Sequence, residues 1–230
     1  AKEKRKLGII SCKNRFCPIC AYKKSRKDAM KISMIMEEIE KGSKFLFLTL
    51  TAKAVTGDNL INEITNYNNS FKRMTELKPY LKLIFGYIRK LEIIYDRNKT
   101  ITKEMYKQKK KYFDSLGLKV GTPNPDYEKY HVNFHVLLSV KKYYFSSRYY
   151  IKQDVWAEMW QKSKRDETVT QVDVKRLDMK NFNKKKAIKI LSAFTVKDAD
   201  YLKNQKQFDI IYNALKNRQV VTFNGIFKEI

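Results

Sequence analysis

The stretch EKYHVNFHVLLSV, Glu128 to Val140, holds both histidines of the 230-residue chain. On a β-strand successive side chains alternate between the two faces, so His131, Asn133 and His135 project from one side. The opposite side is apolar: Val132, Phe134, Val136 and Leu138. The alternation predicts a strand with a core face and a polar face. Its two imidazoles are either metal ligands or a structural pair.

The composition predicts a folded, soluble protein. Hydrophobic residues make up 43% of the chain, which is enough for a real core. The longest apolar runs, such as FLFLTLTA, have the length of a strand, so the sequence contains neither a membrane span nor a signal peptide. We therefore expect a soluble, cytoplasmic protein without a membrane partner.

The net charge points to a polyanionic partner. The chain carries 49 Lys and Arg against 24 Asp and Glu, a net charge of +25, and 13% of its residues are aromatic. Such an excess suits nucleic acid, with aromatic rings available to stack on unpaired bases. A lysine bias from an A/T-rich genome and attraction to anionic membranes are the alternatives. A genome bias, however, would not favour basic over acidic side chains two to one.

The three cysteines lie together in SCKNRFCPICAYKKSRK, as Cys12, Cys17 and Cys20. The C-x-x-C spacing places two thiolates on one tetrahedral zinc ion, with Cys12 as the third ligand. A redox C-x-x-C is the alternative, but it would follow a strand in a thioredoxin-like unit, and that context is missing. The sequence does not identify a fourth ligand.

A helix is predicted directly after the cysteines, with apolar residues at helical spacing and Gly42 as its stop. Its first turns are basic. Cations at a helix N-terminus oppose the helix dipole, so a phosphate partner explains them better than stability does. The predicted DNA contacts of this region are Lys13, Arg15, Lys23, Lys24, Arg26 and Lys27.

The remaining elements follow the order β-α-β-β-α-β-α. A β-α-β-β-α-β string closes into a ferredoxin-like antiparallel sheet with helices packed on one face, an α+β fold. Trp156 and Trp160 are then core residues against the sheet. The predicted units are a basic N-terminal segment with the cysteines and the first helix (1–43), a main domain (44–205) and a C-terminal extension (206–230).

A carboxylate joins the histidines in this layout. The strands predicted at 85–96 and 130–140 are consecutive, so antiparallel pairing brings Glu92 near residues 133 to 135. A carboxylate among a strand's apolar residues needs a partner, because an unpaired buried charge costs several kcal/mol. A divalent cation and a lysine are both suitable partners.

The motifs resemble those of a known family. The segments CKNRFCPICAYKKSRK, FLTLTA, GYIRKLEIIYD, YHVNFHVLLSV and FTVKDADYL, in this order over about residues 10–205, resemble the replication initiators of rolling-circle plasmids of Gram-positive bacteria, in the HUH endonuclease superfamily. The resemblance implies a ferredoxin-like fold, a divalent metal (Mn or Mg), and a tyrosine that nicks one strand at the plasmid's double-strand origin, at a hairpin or a single-stranded nick site. It also implies a host helicase and polymerase as partners, and a dimer is one oligomeric state open to such proteins.

Only some of the family's metal-binding positions carry the same residue type in this chain. The family's strand motif resembles H-P-H-F-H, and its last two histidines, the metal pair, fall on Asn133 and His135. The carboxylate of the family matches Glu92. An amide binds metal more weakly than imidazole, although its oxygen suits a hard cation, and His131 on the same face is a further candidate ligand.

This chain departs further from the family at the catalytic helix. It resembles E-x-x-x-Y-x-x-K-D, which puts Phe194 at the tyrosine position and Ile190 at the glutamate position, followed correctly by Lys197. Tyr201 is a substitute nucleophile to consider, seven residues on. The changes are explained either by deliberate substitution to trap a DNA complex or by natural decay into a binding-only relative. The sequence does not separate the two.

The segment 97–129 between the two site strands is longer than relatives usually have. Its lysine cluster makes it a candidate DNA-gripping insertion, and a solvated charged hairpin is the alternative. The predicted DNA contacts there are Lys107, Lys109, Lys110 and Lys111.

Together these features favour a rolling-circle initiator whose chemical step is impaired. The first alternative is a non-enzymatic DNA-binding protein derived from an initiator, such as a repressor or a partner subunit. An RNA-binding module is a more distant third, because the strands lack the aromatic signature of such sheets.

Overall fold

One antiparallel sheet organises the chain. The computed structural model describes residue 12 and residues 14–146, 148–169, 172–177, 182–193 and 204–228. The strands are β1 (Ser43–Thr51), β2 (Ile84–Tyr95), β3 (Tyr130–Lys141), β4 (Val172–Leu177) and β5 (Val221–Gly225). Their order across the sheet is β4-β1-β3-β2-β5, and each of these neighbours pairs antiparallel.

Helices connect and cover the strands. They are α1 (Pro18–Glu40), α2 (Leu60–Thr75), α3 (Lys78–Leu83), α4 (Lys103–Gln108), α5 (Lys110–Ser115), α6 (Gln153–Lys164), α7 (Phe182–Ser192) and α8 (Gln205–Leu215), with short 3-10 helices at Gly57–Asn59 and Tyr144–Ser146. Among the described residues, no helix is both long and apolar enough to cross a lipid bilayer.

The first four strands confirm the predicted α+β fold. Their order β4-β1-β3-β2 is that of the ferredoxin-like arrangement, with β1 and β3 at the centre. The alternation in β3 explains its central place, because one of its faces is apolar throughout and the other is buried from Asn133 to Ser139. A strand that is buried on both faces is suited to the middle of a sheet.

The larger core lies on one face of the sheet, under α2, α3, α6 and α8. Val132, Phe134 and Val136 of β3 point into it and are almost fully buried. Trp156 and Trp160 of α6 are buried in the same core, which confirms the prediction that they are core residues. Their indole nitrogens are satisfied there, because Trp156 donates to the Tyr144 hydroxyl and Trp160 to the carbonyl of Thr51.

A second core lies on the opposite face, under α1 and α7. It joins the buried face of α1 to Leu137 of β3 and to Ala187 and Leu191 of α7. The residues that α1 contributes are Ile32, Ile35, Met36 and Ile39. The prediction of helices on one face therefore describes α2, α3, α6 and α8, whereas α1 and α7 cover the other face.

The C-terminal residues are part of the sheet. The sequence predicts a C-terminal extension at 206–230, whereas Ile211 and Leu215 of α8 are fully buried in the larger core. The strand β5 pairs with β2, with Gly225 opposite Gly86. Two glycines face each other because the backbones approach so closely: a Cβ on Gly225 would lie 2.1 Å from the Phe85 carbonyl oxygen.

The insertion 97–129 is a packed helical unit rather than an open hairpin. It contains α4 and α5, and Ile101 and Phe113 are buried beneath them. Thr102 caps α4 by accepting a hydrogen bond from the Met105 backbone N–H. The unit therefore presents its charged side chains from a defined scaffold.

We expect Gly225→Ala to destabilise the protein more than Gly117→Ala. Both glycines have positive φ, +56° and +67°, but a Cβ on Gly117 would have nothing within 4 Å. Gly117→Ala should lower the free energy of unfolding by about 1 kcal/mol, the cost of the left-handed conformation alone. Gly225→Ala should lower it by about 2 kcal/mol or more, because β5 must move away from β2. Urea denaturation measures both, and equal losses would contradict the close approach.

Candidate metal and nucleic-acid site

Glu92, Asn133 and His135 meet on the face of the sheet that carries α1 and α7. The pairing of β2 with β3 places Glu92 opposite Asn133 and Lys90 opposite His135. One carboxylate oxygen of Glu92 lies 2.9 Å from His135 Nε2 and 3.3 Å from Asn133 Nδ2. We call these three residues the Glu92 group.

Two residues of β1 orient the His135 ring. Thr49 lies opposite His135 in the register, and its Oγ1 is 3.3 Å from His135 Nδ1. The ring of Phe47 stacks against the imidazole, with centroids 5.9 Å apart. An oriented second nitrogen is typical of histidines that bind metals, because it fixes the direction in which the other nitrogen points. His135 Nε2 is thus directed at Glu92.

The donor set of the Glu92 group fits a hard divalent cation. It offers a carboxylate oxygen, an imidazole nitrogen and, after rotation of the Asn133 amide by 180°, an amide oxygen. The side chains of His135 and Glu92 are only 11% and 17% exposed, so the group is shielded from most water. Glu92 also contacts more than these two partners.

His131 faces other partners than the Glu92 group. Its Nε2 lies 3.4 Å from Asp126 Oδ2 and 3.8 Å from Asp96 Oδ2. The Lys109 ammonium is 3.2 Å from the same Asp126 oxygen and 3.0 Å from His131 Nε2. We call these four residues the Asp126 network. The sequence makes His131 a further candidate ligand beside Glu92, whereas the structure places it in this separate network.

Electrostatics favour an ion-pair network at Asp126. Burial raises the pKa of Asp126, but hydrogen bonds from His131 and Lys109 outweigh it and hold that pKa well below its usual range. Burial alone lowers the pKa of His131, and the carboxylates of Asp126 and Asp96 reverse this and raise it. The donor atoms of the two aspartates and the histidine lie within 4.8 Å of one another, a spacing that a metal could use. Lys109 already supplies positive charge there.

Lys109 is therefore directed into the protein, although it was predicted to contact DNA. Its side chain is 33% exposed and anchors the helical insertion to β3 through the Asp126 network. The other predicted contacts of the insertion remain exposed: Lys107, Lys110 and Lys111. Sequence reasoning missed Asp96 and Asp126, because their role depends on a contact with His131 across the insertion.

Arg15 is also directed inward. Its guanidinium donates to the carbonyl oxygens of Leu215 at 2.7 Å and Arg218 at 2.9 Å, at the end of α8. The other predicted basic contacts of the described N-terminal region are exposed: Lys23, Lys24, Arg26 and Lys27. Lys13 lies outside the described residues. Arg15 thus ties the N-terminal segment to the C-terminal helix.

The cysteine knuckle is assembled as predicted. The sulfur atoms of Cys12, Cys17 and Cys20 lie within 4.8 Å of one another, and those of Cys12 and Cys20 are 3.4 Å apart. Three thiols at this spacing fit three corners of a tetrahedral zinc site. In the described part of the chain, this group comprises three residues that could hold a metal ion.

Lys90 is a residue of the site that the sequence did not predict. It is 1% exposed, and its ammonium donates hydrogen bonds to the carbonyl oxygens of Ile190, at 2.8 Å, and of Ala193. Burial lowers the pKa of Lys90 to about 8, and the carboxylates of Glu92 and Asp28 oppose that shift. The signal in the sequence was a lysine one strand period from Glu92 in a strand that is otherwise mostly apolar.

Lys90 thereby ties the end of α7 to the strand that carries Glu92. Ile190, at the family's glutamate position, packs partly buried against the second core. Phe194, Lys197 and Tyr201 lie outside the described residues. The described chain reaches Ala193, one residue before the tyrosine position.

We expect Lys109→Met to destabilise the protein and Lys111→Met to leave its stability within about 0.5 kcal/mol. Removing Lys109 leaves buried carboxylates with less compensation. The loss should be about 1–3 kcal/mol, below that of a fully buried pair, because Lys109 is a third exposed. Urea denaturation measures this difference.

The same two variants should also differ in DNA binding, with the larger effect now at Lys111. Lys111→Met should reduce the salt dependence of duplex binding by about one counterion, whereas Lys109→Met should leave it unchanged. Equal stability of the two variants, or a stronger effect of Lys109 on binding, would contradict the inward role of Lys109.

Comparison with known proteins identifies the family. The family model described as "Replication protein" matches residues 4–230. A "Protein rep" of Staphylococcus aureus is 37% identical over 209 residues, which cover 89% of this chain and 78% of that protein. A "Protein rep" of Bacillus amyloliquefaciens is 29% identical over 242 residues, covering 95% of this chain and 63% of that protein.

A third relative gives the same result. A "Protein rep" of Streptococcus pneumoniae is 29% identical over 225 residues, covering 95% of this chain and 62% of that protein. The chain thus spans less than two thirds of the length of the Bacillus amyloliquefaciens and pneumococcal relatives. No solved structure matches the chain significantly. The match over nearly the whole chain confirms the resemblance found in its motifs: the chain belongs to the replication protein family of rolling-circle plasmid initiators.

Proposed function

We propose that this chain is the origin-binding domain of a rolling-circle initiator, with a metal site that is assembled but lacks a nucleophile. The observation that carries the proposal is the convergence of Asn133 and His135 on one oxygen of Glu92, at 3.3 and 2.9 Å. These are the positions at which the family holds its metal. The segment that leads to the tyrosine position is tied to the same strand by Lys90.

Glu92, His135 and Asn133 are the residues that would hold manganese or magnesium. A divalent cation bound there supplies Lewis-acid polarisation of the scissile phosphate. Thr49 and Phe47 keep the His135 ring aimed at the site, and Glu92 provides the charged ligand. Asn133 is a weaker ligand than the histidine of relatives, so we expect low metal affinity.

The family reaction needs an oxygen that this chain does not have at residue 194. In relatives the tyrosine oxygen attacks phosphorus, the bond between phosphorus and the 3′ oxygen breaks, and the phenolic proton ends on that oxygen. The products are a 5′-phosphotyrosine and a free 3′-OH. Phe194 offers no nucleophile, and Ile190 cannot activate water to end the cycle. The chain should therefore bind origin DNA without nicking it.

DNA is the partner that the charge favours. The net charge of +25 and the exposed lysines of α1 and of the insertion suit phosphate contacts. A host helicase and polymerase would act with the initiator on plasmid DNA in the cytoplasm. A dimer is one assembly that such binding allows.

A non-enzymatic role is the second candidate. It is favoured by the joint change at Asn133, Ile190 and Phe194, because a protein that only binds DNA needs none of the three family residues. Such a protein would act as a repressor or a partner subunit. The two candidate functions predict different results when the missing family residues are restored by substitution: only the impaired initiator should regain nicking.

The test is to restore the missing groups and look for covalent DNA. We expect no adduct from the native chain, a trace from Phe194→Tyr, and clear strand-specific nicking from Phe194→Tyr with Asn133→His, because only the last has both an attacking oxygen and a strong ligand set. The probe is a single-stranded oligonucleotide covering the origin of the plasmid that encodes the chain, with manganese or magnesium, on a denaturing gel.

Labels on either end and one further variant control the experiment. The protein should remain on the 5′-phosphate side of the cut, and adding Glu92→Gln to the double variant should abolish the adduct. A strong adduct with the native chain would mean another nucleophile, and Tyr201→Phe would then identify it. Absence of nicking by the double variant would favour the binding-only protein.

We also expect zinc to copurify at about one ion per chain, held by the cysteine knuckle. Removing it should loosen the knuckle and the start of α1, because three thiolates then lose their common partner. Metal analysis gives the stoichiometry, and hydrogen exchange of residues 14–31 before and after chelation gives the loosening. A Cys17→Ser variant should lose the ion. A metal-free protein with unchanged exchange would refute the site.

A further inference from the structure

The helix α1 has two parts with different surroundings. Its C-terminal half is fixed in the second core by Ile32, Ile35, Met36 and Ile39. None of the residues 18–31 is buried. The N-terminal half therefore extends beyond the core and leaves most of its surface available to a partner.

The surface of that half combines apolar and basic side chains. Ile19, Tyr22, Arg26 and Met30 follow one another at spacings of three and four, so they lie along one side of the helix. Ile19, Tyr22 and Met30 are 61%, 64% and 69% exposed. Lys23 and Lys27 lie on the same side. We call these six residues the outer face of α1.

The outer face is not explained by the stability of the helix. The first turn of α1, residues 18–21, carries neither an acidic nor a basic side chain, so the cations of the outer face begin one turn later than predicted and gain nothing from the helix dipole. Lys24, on the flank, has its own partner in Asp28 at 3.0 Å. The guanidinium of Arg26 lies 5.9 Å from the centre of the Tyr22 ring, within the range of a cation–π contact.

Duplex DNA satisfies both characters of this surface. Its phosphates attract Lys23 and Lys27, while its major groove offers base edges and thymine methyl groups. The groove is about 12 Å wide, which admits a single α-helix. Arginine is suited to guanine, because its fork matches the two acceptors of that base.

We infer that the outer face of α1 lies in the major groove of duplex DNA and reads its sequence, with Arg26 on guanine and Tyr22 and Met30 against apolar base edges. This inference rests on the proposed function as an origin-binding domain. Beyond that function, α1 is the element that reads the duplex, through the side chains of its outer face. The exposed lysines elsewhere contribute affinity rather than sequence preference.

The fold holds α1 firmly enough for such reading. Beyond its N-terminal end, Phe16 packs edge-on against Phe208 of α8, and Arg15 binds the end of α8. Its C-terminal half is held by the second core. Sites on rigid elements position side chains more accurately than sites on loops.

The position of α1 also relates the duplex to the Glu92 group. The buried residues of α1 pack on the face of the sheet that also carries the Glu92 group. The outer face points away from those residues, so a duplex bound there and the Glu92 group lie on opposite sides of α1.

The test begins with selection of binding sites from a random duplex library by the native chain. We expect Arg26→Lys to lower the affinity for the selected duplex about 10- to 100-fold and to leave the affinity for random duplex nearly unchanged, because the charge stays and the fork is lost. Arg165→Lys, the same change on an exposed residue after α6, is the matched control and should have no effect. Lys27→Gln should weaken both duplexes equally and reduce the salt slope by about one.

The experiment distinguishes a failure of the proposed function from a failure of the inference about α1. A native chain that binds neither duplex nor origin DNA overturns the proposed function and this inference together. A native chain that selects a sequence while Arg26→Lys keeps the same preference overturns the inference alone, as does binding of a hairpin origin without duplex preference. If α1 variants change no DNA affinity, the outer face serves another class of partner, such as an acidic protein, and the inference is wrong.

Discussion

The pairing register of β2 against β3 is the constraint on which the site depends. It places Glu92 opposite Asn133 and Lys90 opposite His135. Side chains alternate along a strand, so a shift of one residue would turn Glu92 and Lys90 toward the larger core and Leu91 toward the site face. That core is a layer of fully buried apolar side chains, in which an unpaired carboxylate would cost several kcal/mol. The packing of one face thus enforces the chemistry of the other.

Two lysines that point inward show that the net charge of this protein is not all available to a partner. Lys90 joins α7 to β2, and Lys109 joins the insertion to β3. In each case the ammonium bonds groups that would otherwise lack compensation in a partly dry environment: helix-end carbonyls for Lys90 and aspartate carboxylates for Lys109. Each lysine connects a helical element to one of the two strands that carry the Glu92 group, and Lys90 lies opposite His135 of that group.

The larger core and the candidate site lie on opposite faces of the sheet. The larger core, with Trp156 and Trp160, lies on the side of the sheet opposite the Glu92 group. The other side carries the Glu92 group, α7 and α1, so the candidate metal ligands, the segment before residue 194 and a basic helix share one face of the sheet. This arrangement persists although residues 133, 190 and 194 differ from the family pattern.

The sequence by itself determined the features that depend on near neighbours. Alternation in β3 predicted its two faces, the spacing of Cys12, Cys17 and Cys20 predicted their cluster, and the element order predicted the sheet that brings Glu92 to Asn133 and His135. Only the tertiary structure decided which way long polar side chains point. Arg15 bonds a carbonyl 200 residues away, and Lys109 bonds the carboxylate of Asp126. A lysine or arginine has the same local pattern whether it faces water or a buried carboxylate, and the choice depends on chain segments that meet only after folding.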